Sequence, residues 1–157
     1  ALPQARIDVY GPLECALPAA LPPNVRLLGP MPHAQVFALM RGWHAGLIPF
    51  VRNTLTQSVD PVKYYEYRAC GLPVLTTLFG EMPHHAACDD GVWPLESLAL
   101  PQLEARLRNW HQDLATRRAQ GLPLAPDCLQ KADWDSRFDE AAASCNWASG
   151  NARMPCC

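Results

Sequence analysis

The sequence predicts an α/β fold in which a parallel sheet is covered by helices on both faces. Short apolar runs alternate along the chain with segments whose apolar residues recur at helical spacing, which is typical of parallel strands joined by crossover helices. Proline and glycine stand between these segments and not in one tract, and so they indicate turns between successive elements. The chain is 49% hydrophobic and 18% charged, which leaves enough apolar side chains for the core of such a fold.

The first half of the chain predicts three strands and one helix. Residues 5–10 alternate between apolar and polar side chains and residues 25–28 form an apolar run, and each segment ends at a Gly-Pro pair that predicts a loop. Residues 32–43 begin with a proline that suits a first helical turn and then carry an apolar stripe at helical spacing. Residues 44–50 are the third predicted strand, whereas the proline-rich residues 13–23 predict a loop.

The next predicted helix has the most clearly marked ends. Asp60 is the expected N-cap, since its carboxylate can accept from the amides of the first turn, and Pro61 is the expected first helical residue, where a missing N–H does no harm. Gly71 supplies the left-handed residue that ends the helix. Residues 73–76 follow it as a short buried strand.

The last part of the chain predicts one more strand and further helices. A short helix fits within residues 80–88, and residues 92–95 form a short strand behind a turn at residues 89–91. Residues 101–119 have an amphipathic pattern, and apolar residues over 134–142 predict a closing helix.

The composition argues against several classes of protein. The formal net charge is −2 without a basic block, so electrostatic binding to nucleic acid or to an anionic membrane is not expected. No apolar run reaches the ~18 residues of a membrane helix, and the start of the chain does not resemble a signal peptide. The seven cysteines are scattered without paired C-x-x-C motifs, which predicts free thiols in a reducing compartment. We expect one domain over residues 1–148 and a disordered tail over residues 149–157.

The predicted strands place several loops at one edge of the sheet. Ligands of parallel sheets bind at the carboxyl ends of the strands. Here these ends are Gly11-Pro12, Gly29–Met31, Pro49-Phe50 and Thr76-Thr77, and the helix that begins near Asp60 starts at the same edge.

Lys63 and Glu66 are the candidate binding residues on that helix. They are three positions apart and so share one face near the positive end of the helix. A cation and a helix N-terminus together attract phosphate, and a carboxylate one turn deeper can accept two sugar hydroxyls. The pattern favours a site for a nucleoside diphosphate, although a surface ion pair would have the same spacing.

Other polar and aromatic residues favour structural roles. The three tyrosines of this helix lie around its circumference, which is more typical of core packing than of base stacking. The residues His84, His85 and Cys88 match no strong zinc-site spacing, so we expect a polar surface there and no bound metal.

Three longer runs resemble the donor-binding domain of GT-B glycosyltransferases. They are Asn24-Val-Arg-Leu-Leu-Gly-Pro, Ala45-Gly-Leu-Ile-Pro-Phe and Asp60-Pro-Val-Lys-Tyr-Tyr-Glu-Tyr-Arg-Ala-Cys-Gly-Leu-Pro-Val-Leu-Thr-Thr, and Trp134 follows at the start of the closing helix. The likeness covers roughly residues 6–145 and is greatest to the retaining group 1, family 4-like enzymes, many of which make bacterial polysaccharides. It implies a Rossmann-like domain that is half of a GT-B fold and lacks its first strand and helix.

The resemblance implies an activity and its partners. The activity is transfer of a sugar from a nucleoside diphosphate sugar to a glycan or lipid-linked acceptor by a retaining, hexosyltransferase-type enzyme without a metal or other cofactor. It also implies a missing amino-terminal acceptor domain, so this chain alone is expected to bind the nucleotide sugar weakly and to transfer no sugar. We expect a cytoplasmic protein that reaches the inner face of the membrane only through that domain. A non-catalytic interaction module on the same half-fold is the open alternative, and another GT-B-like enzyme, such as an epimerase or a phosphorylase, is a weaker one.

The resemblance also implies roles for single residues. Glu66 matches the glutamate that holds the ribose hydroxyls, and Lys63 matches a residue that meets the diphosphate, so these two are the expected catalytic residues. Ser58 stands where many relatives carry a further glutamate. The expected donor-binding residues are Gly29, Pro30 and Met31 near the base, Phe50, Arg52 and Thr56 along the sugar and its phosphate, and Ser58, Asp60, Lys63 and Glu66.

Overall fold

The computed structural model describes residues 5–14, 16–17 and 20–129 and shows an α/β fold with parallel strands, consistent with a Rossmann-like arrangement. The elements in chain order are β1 (Ile7–Tyr10), β2 (Val25–Gly29), α1 (His33–Met40), β3 (Gly46–Ile48), α2 (Val62–Ala69), β4 (Val74–Thr76), α3 (Met82–Cys88), β5 (Val92–Pro94) and α4 (Leu100–Ala119). Short 3-10 helices cover Thr56–Ser58, Leu95–Ser97 and Asp127–Leu129. The predicted order of elements is confirmed up to α4, whereas the predicted helix over residues 134–142 and the predicted tail over residues 149–157 lie outside the described residues.

The strands form two parallel sheets instead of the single sheet predicted. β1 pairs with β2, and β3, β4 and β5 form a second sheet with β4 in the centre. Aromatic side chains join the first sheet to α2: the Tyr10 ring stacks on Trp43, which in turn contacts Tyr67. Within the described residues, side-chain packing thus takes the place of backbone pairing between the two sheets.

The main core lies on the three-stranded sheet. Its buried side chains are Ile48, Tyr64, Val74, Phe79, Met82 and Val92. Tyr64 is fully buried, and Tyr65 and Tyr67 are partly buried and pack against the same core, which confirms that the tyrosines of α2 serve in packing. Gly46 at the start of β3 lies against the Tyr67 ring, so any side chain at this position would collide with the ring.

Helix α2 ends as the sequence predicts. Gly71 has a φ of +77°, which an L side chain rarely adopts. The amide of Gly71 donates to the carbonyl oxygen of Arg68 at 2.9 Å, and the amide of Leu72 donates to that of Tyr67 at 3.0 Å. These two bonds satisfy carbonyl groups that the end of a helix would otherwise leave without partners.

The start of α2 differs from the prediction. The N-cap is Pro61, and no side chain caps the helix, so the prediction that Asp60 is the cap and Pro61 the first helical residue is wrong. Tyr65 Oη donates to Asp60 Oδ2 at 2.6 Å, and His85 Nε2 lies 2.9 Å from Asp60 Oδ1. The Asp60 carboxylate thus contacts side chains of α2 and α3 and does not cap the helix.

A buried ion pair connects α2 to the turn before β5. Arg68 Nε donates to Asp89 Oδ2 at 2.6 Å, Arg68 Nη2 donates to Asp89 Oδ1 at 2.9 Å, and Arg68 Nη1 donates to the Leu72 carbonyl at 2.8 Å. Tyr64 Oη and the amide of Gly91 donate to the same carboxylate at 3.1 and 2.9 Å. The sequence predicted a turn at residues 89–91, but not that its first residue anchors a buried arginine.

Candidate functional site

The candidate site is centred on the Glu66 carboxylate. Lys63 Nζ donates to Glu66 Oε2 at 2.5 Å. The other oxygen, Oε1, lies 3.1 Å from His33 Nε2. His33 is the first residue of α1 and follows the loop that leaves β2. The carboxylate therefore joins the start of α1 to the first half of α2, at the edge where the sequence predicts ligand binding.

The three residues Lys63, Glu66 and His33 are called the Glu66 cluster below, and the cluster is open to solvent at Lys63 and His33. The side chain of Glu66 is 11% exposed, whereas those of Lys63 and His33 are 50% and 68% exposed. Exposed ion pairs contribute only about 0–1 kcal/mol to stability. A ligand can therefore replace or share these donors at small cost.

The electrostatics of the cluster keep Glu66 ionised. Burial by itself would raise the pKa of this carboxyl group. Hydrogen bonds from Lys63 and His33, together with their charges, act in the opposite direction and hold the pKa below its ordinary value. At neutral pH Glu66 is therefore a hydrogen-bond acceptor for hydroxyl groups and not a proton donor.

Lys63 lies in the first turn of α2, where the helix dipole is positive. No acidic side chain stands in that turn. The partial positive charge of the helix start therefore adds to the charge of the Lys63 ammonium group, and together they favour a phosphate at this position.

Phe50 and Arg52 belong to a second group of contacts at the same edge. Arg52 Nη2 lies 3.2 Å from Glu96 Oε1, and the amide of Leu78 donates to the same oxygen at 3.2 Å. Hydrogen bonds from the backbone amides of Glu96 itself and Leu78 lower the pKa of Glu96, so it carries a negative charge that attracts Arg52. The Phe50 ring stacks on Phe79 with 4.9 Å between centroids. The loop after β3 is thus attached to the segments that follow β4 and β5.

Thr56 and Ser58 lie in the segment between β3 and α2. The Thr56 amide donates to Asn53 Oδ1 and the Asn53 amide donates to Thr56 Oγ1, both at 3.0 Å. Thr56 Oγ1 donates in turn to the Val51 carbonyl at 2.8 Å. Thr56 therefore shapes this segment, and Ser58, which ends its 3-10 helix, is exposed.

Asp60 belongs to a third group, on the side of α3. The ring of His85, whose Nε2 faces Asp60, stacks on Tyr64 with 3.9 Å between centroids and contacts Tyr65 edge to face. The expectation that His84 and His85 both lie on the polar surface is therefore wrong for His85, which is buried between the tyrosines, while His84 is exposed. These contacts of Asp60 fasten α2 to α3.

The loop predicted to lie near the base leads directly into the Glu66 cluster. Gly29 has a φ of +71°, and its carbonyl oxygen accepts from the Gly11 amide at 2.9 Å. A residue with a Cβ would be strained at this φ, so glycine sets the direction of the chain as it leaves β2. Pro30 and Met31 follow and connect this turn to His33.

Of the predicted donor-binding residues, Lys63 and Glu66 contact each other directly, while Arg52 and Asp60 contact other partners. The sequence analysis did not include His33 among the site residues and missed its contact with Glu66. The two residues are 33 positions apart, and no local pattern signals such a contact. Glu96 was also missed, and its place just after the carboxyl end of a predicted strand was the available signal.

The described part of the chain contains no group of candidate metal ligands and no candidate membrane-spanning helix. Among residues 5–14, 16–17 and 20–129, no three His, Cys, Asp or Glu side chains are grouped so that they could hold a metal ion. His84 and Cys88 are neighbours on α3, with 3.9 Å between Nε2 and Sγ. Over the same residues, no helix combines the length and the apolar character that crossing a membrane requires.

Comparison of the chain with protein-family models, with curated proteins and with solved structures found no match. The likeness to GT-B donor-binding domains therefore stays a prediction. The case for a function depends on the residues and contacts of the Glu66 cluster and its surroundings.

Proposed function

We propose that this chain is the donor-binding domain of a glycosyltransferase that uses a nucleoside diphosphate sugar. The observation that supports the proposal is the Glu66 cluster, in which an ionised and mostly covered carboxylate has two exposed partners, the Lys63 ammonium group and the His33 ring, where α1 and α2 begin. Such a carboxylate suits the hydroxyls of a ribose, and Lys63 with the start of α2 suits the diphosphate.

The cluster has the capacity to bind a nucleotide while its existing contacts persist. A carboxylate offers about four acceptor positions, and the contacts with Lys63 and His33 use one on each oxygen. The remaining positions match the 2′ and 3′ hydroxyls of ribose, which both donate. Lys63 has three N–H donors and can direct one to Glu66 and another to a phosphate oxygen.

In the proposed reaction the domain stabilises the departing nucleoside diphosphate. Negative charge develops on the diphosphate oxygen as its bond to the anomeric carbon breaks. Lys63 and the positive end of α2 would stabilise that charge electrostatically, and Glu66 would position the ribose without transferring a proton. Retention of configuration, a glycan or lipid-linked acceptor, an acceptor domain and a cytoplasmic location are parts of the proposal that rest on the sequence resemblance alone.

Nucleotide binding tests the proposal. Isothermal titration calorimetry with UDP, GDP and ADP should detect binding of at least one of them, and Glu66→Gln should weaken it about tenfold or more because a charged hydrogen-bond acceptor is lost. Glu104→Gln removes an exposed carboxylate that pairs with Arg108 on α4, and this control should bind as the wild type does. No binding of any nucleotide, or equal binding by the wild type and Glu66→Gln, would contradict the proposal.

A non-catalytic interaction module is the second candidate. The segment that leads from β3 into α2 carries the largely exposed apolar side chains of Val51, Leu55 and Val62. Exposed apolar side chains concentrated in one segment favour contact with another protein surface. If the chain is an interaction module, the same titrations should show no heat of nucleotide binding. If it is a donor-binding domain, they should show heat that depends on Glu66.

A further inference from the structure

A cavity lies where α1, α2 and α4 end. It has a volume of about 480 Å³ and is lined by Arg41, Ala69, Cys70, Arg118 and Leu124. Pockets for small ligands commonly measure about 300–1,000 Å³. Cys70 directly follows α2, whereas Lys63 lies in its first turn, so the two are separated by about 10 Å along the helix axis. Glu66 itself lies only four positions before Cys70, so the cavity adjoins the Glu66 cluster, but no residue of that cluster lines it.

Arg41 and Arg118 differ from the other arginines among the described residues. The others have a carboxylate or an aromatic ring as partner: Arg6 and Arg26 contact Asp8, Arg52 contacts Glu96, Arg68 contacts Asp89, Arg108 contacts Glu104, Arg117 contacts Asp113, and Arg106 lies over Trp93. Within residues 5–14, 16–17 and 20–129, neither Arg41 nor Arg118 has a carboxylate partner. Both arginines are exposed to solvent, and both line the same cavity.

The charges of both arginines act on the Cys70 thiol. Burial raises the pKa of this thiol, and the charges of Arg41 and Arg118 both act to lower it. Glu66 acts in the same direction as burial, and the net pKa is raised. Both guanidinium groups are therefore close enough to act on one sulfur atom in the wall of the cavity.

The ends of the helices do not account for these arginines. At the end of α2, the last carbonyl groups accept from the amides of Gly71 and Leu72. At the end of α4, the amides of Gly121 and Leu122 donate to the carbonyls of residues 118 and 117 at 3.2 and 2.9 Å. Backbone amides thus satisfy these carbonyls, and neither arginine is needed as a hydrogen-bonding cap. The three helix ends that meet here carry about −0.5 charge each, roughly −1.5 in total, which is less than the charge of +2 on the two guanidinium groups.

We propose that this cavity binds a small organic anion with at least two negative charges, such as a phosphate ester or a di- or tricarboxylate. One anionic group would lie between the guanidinium groups of Arg41 and Arg118, which bind oxyanions through pairs of N–H donors. The carbon skeleton would contact Ala69 and Leu124. The site does not depend on the proposed nucleotide function.

Alkylation of Cys70 measures the positive potential of the cavity. Two reagents are compared, iodoacetate, which is an anion, and iodoacetamide, which is neutral. With each of them the thiolate displaces iodide and forms a C–S bond. Mass spectrometry gives the rate at each cysteine, with the exposed Cys88 as an internal control in the same molecule. The ratio of the iodoacetate rate to the iodoacetamide rate should be about tenfold higher at Cys70 than at Cys88. In Arg41→Gln/Arg118→Gln, the ratio at Cys70 should fall to that at Cys88.

Two further measurements test whether the cavity binds an anion: protection of Cys70 from alkylation, and calorimetry. Citrate or inorganic phosphate, compared with sodium chloride at the same ionic strength, should slow the reaction of iodoacetamide with Cys70 and leave its rate of reaction with Cys88 unchanged. Calorimetry should detect binding of citrate or phosphate to the wild type and not to the double variant, whose fold is checked by circular dichroism. Equal rate ratios at the two cysteines, or no binding of either anion to the wild type, would overturn the proposal.

Discussion

Helix α2 carries two contacts between a carboxylate and cations, and they differ in character. In its first half, Lys63 and His33 contact Glu66, and the side chains of Lys63 and His33 are at least half exposed. In its second half, Arg68 contacts Asp89, and these side chains are 2% and 0% exposed. The same helix thus holds one ion pair at the surface and one in the interior.

The two carboxylates also differ in how completely their oxygens are used. Asp89 accepts two hydrogen bonds from Arg68, one from Tyr64 and one from the Gly91 amide. Glu66 has one donor on each oxygen, and both donors face solvent. A buried pair with all its positions satisfied fixes the structure, whereas a carboxylate with exposed donors can receive a ligand. This contrast supports a structural role for Asp89, and it is the basis on which we propose a binding role for Glu66.

Asp89→Asn is expected to have the largest effect on stability. It leaves the Arg68 charge buried without an anion and should lower the free energy of unfolding by about 3–5 kcal/mol. Glu66→Gln is the matched isosteric change in the exposed contact and should cost less than about 1 kcal/mol. Urea denaturation followed by circular dichroism measures both. Similar losses in the two variants would remove the distinction between the two contacts.

Gly91→Ala tests how closely the buried pair is packed. A Cβ at Gly91 would collide with the Arg68 guanidinium group. The expected loss is about 1–3 kcal/mol, the usual range for an overpacked core. Gly42→Ala is the control, because a Cβ there meets only the Leu39 carbonyl oxygen at an ordinary 3.5 Å. The control should change stability by no more than about 0.5 kcal/mol, and an equal loss in the two variants would contradict the close packing.

Tyr64→Phe removes one neutral donor from the buried carboxylate. The remaining donors to Asp89 stay in place, so the expected loss is about 1 kcal/mol. Tyr65→Phe removes a hydroxyl that donates to the partly exposed Asp60 and should cost less. A larger loss for Tyr65→Phe in urea denaturation would show that burial does not set the strength of these bonds.

The pH dependence of stability should report the exposed contact. The pKa of Glu66 is lower in the folded protein than its ordinary value of 4.5. Its stabilising contribution is therefore fully present above that ordinary pKa and is lost as the pH falls through the lower, folded-state pKa. The difference in unfolding free energy between the wild type and Glu66→Gln should shrink as the pH falls below about 4.5. A difference that grows over that acidic range would contradict the lowered pKa.

The order of the elements was predictable because it depends on local signals. Apolar periodicity separated strands from helices, and Gly71 marked the end of α2 through its left-handed backbone. Cap chemistry was a weaker guide at the other end of α2. Asp60 is a good cap by type, but in the folded chain its carboxylate contacts a tyrosine hydroxyl and a histidine ring instead.

The candidate site was predictable only in part. Lys63 and Glu66 contact each other because they share a helix face, which their spacing indicates. The contacts of His33 with Glu66 and of Arg68 with Asp89 join residues 33 and 21 positions apart. Such contacts follow from the way helices pack on the sheets, and local patterns do not encode them. The division into two sheets was missed for the same reason.

The central claim is that Glu66 binds the ribose of a nucleotide. The most direct measurement is calorimetry with the best-binding nucleoside diphosphate and its 2′,3′-dideoxy analogue, using the wild type and Glu66→Gln. The wild type should bind the ribonucleotide about tenfold or more tightly than the analogue, since charged hydrogen bonds to the diol are lost in the analogue. Glu66→Gln should bind the two alike. Equal affinities in the wild type, or a preference for the ribonucleotide that persists in Glu66→Gln, would contradict the claim.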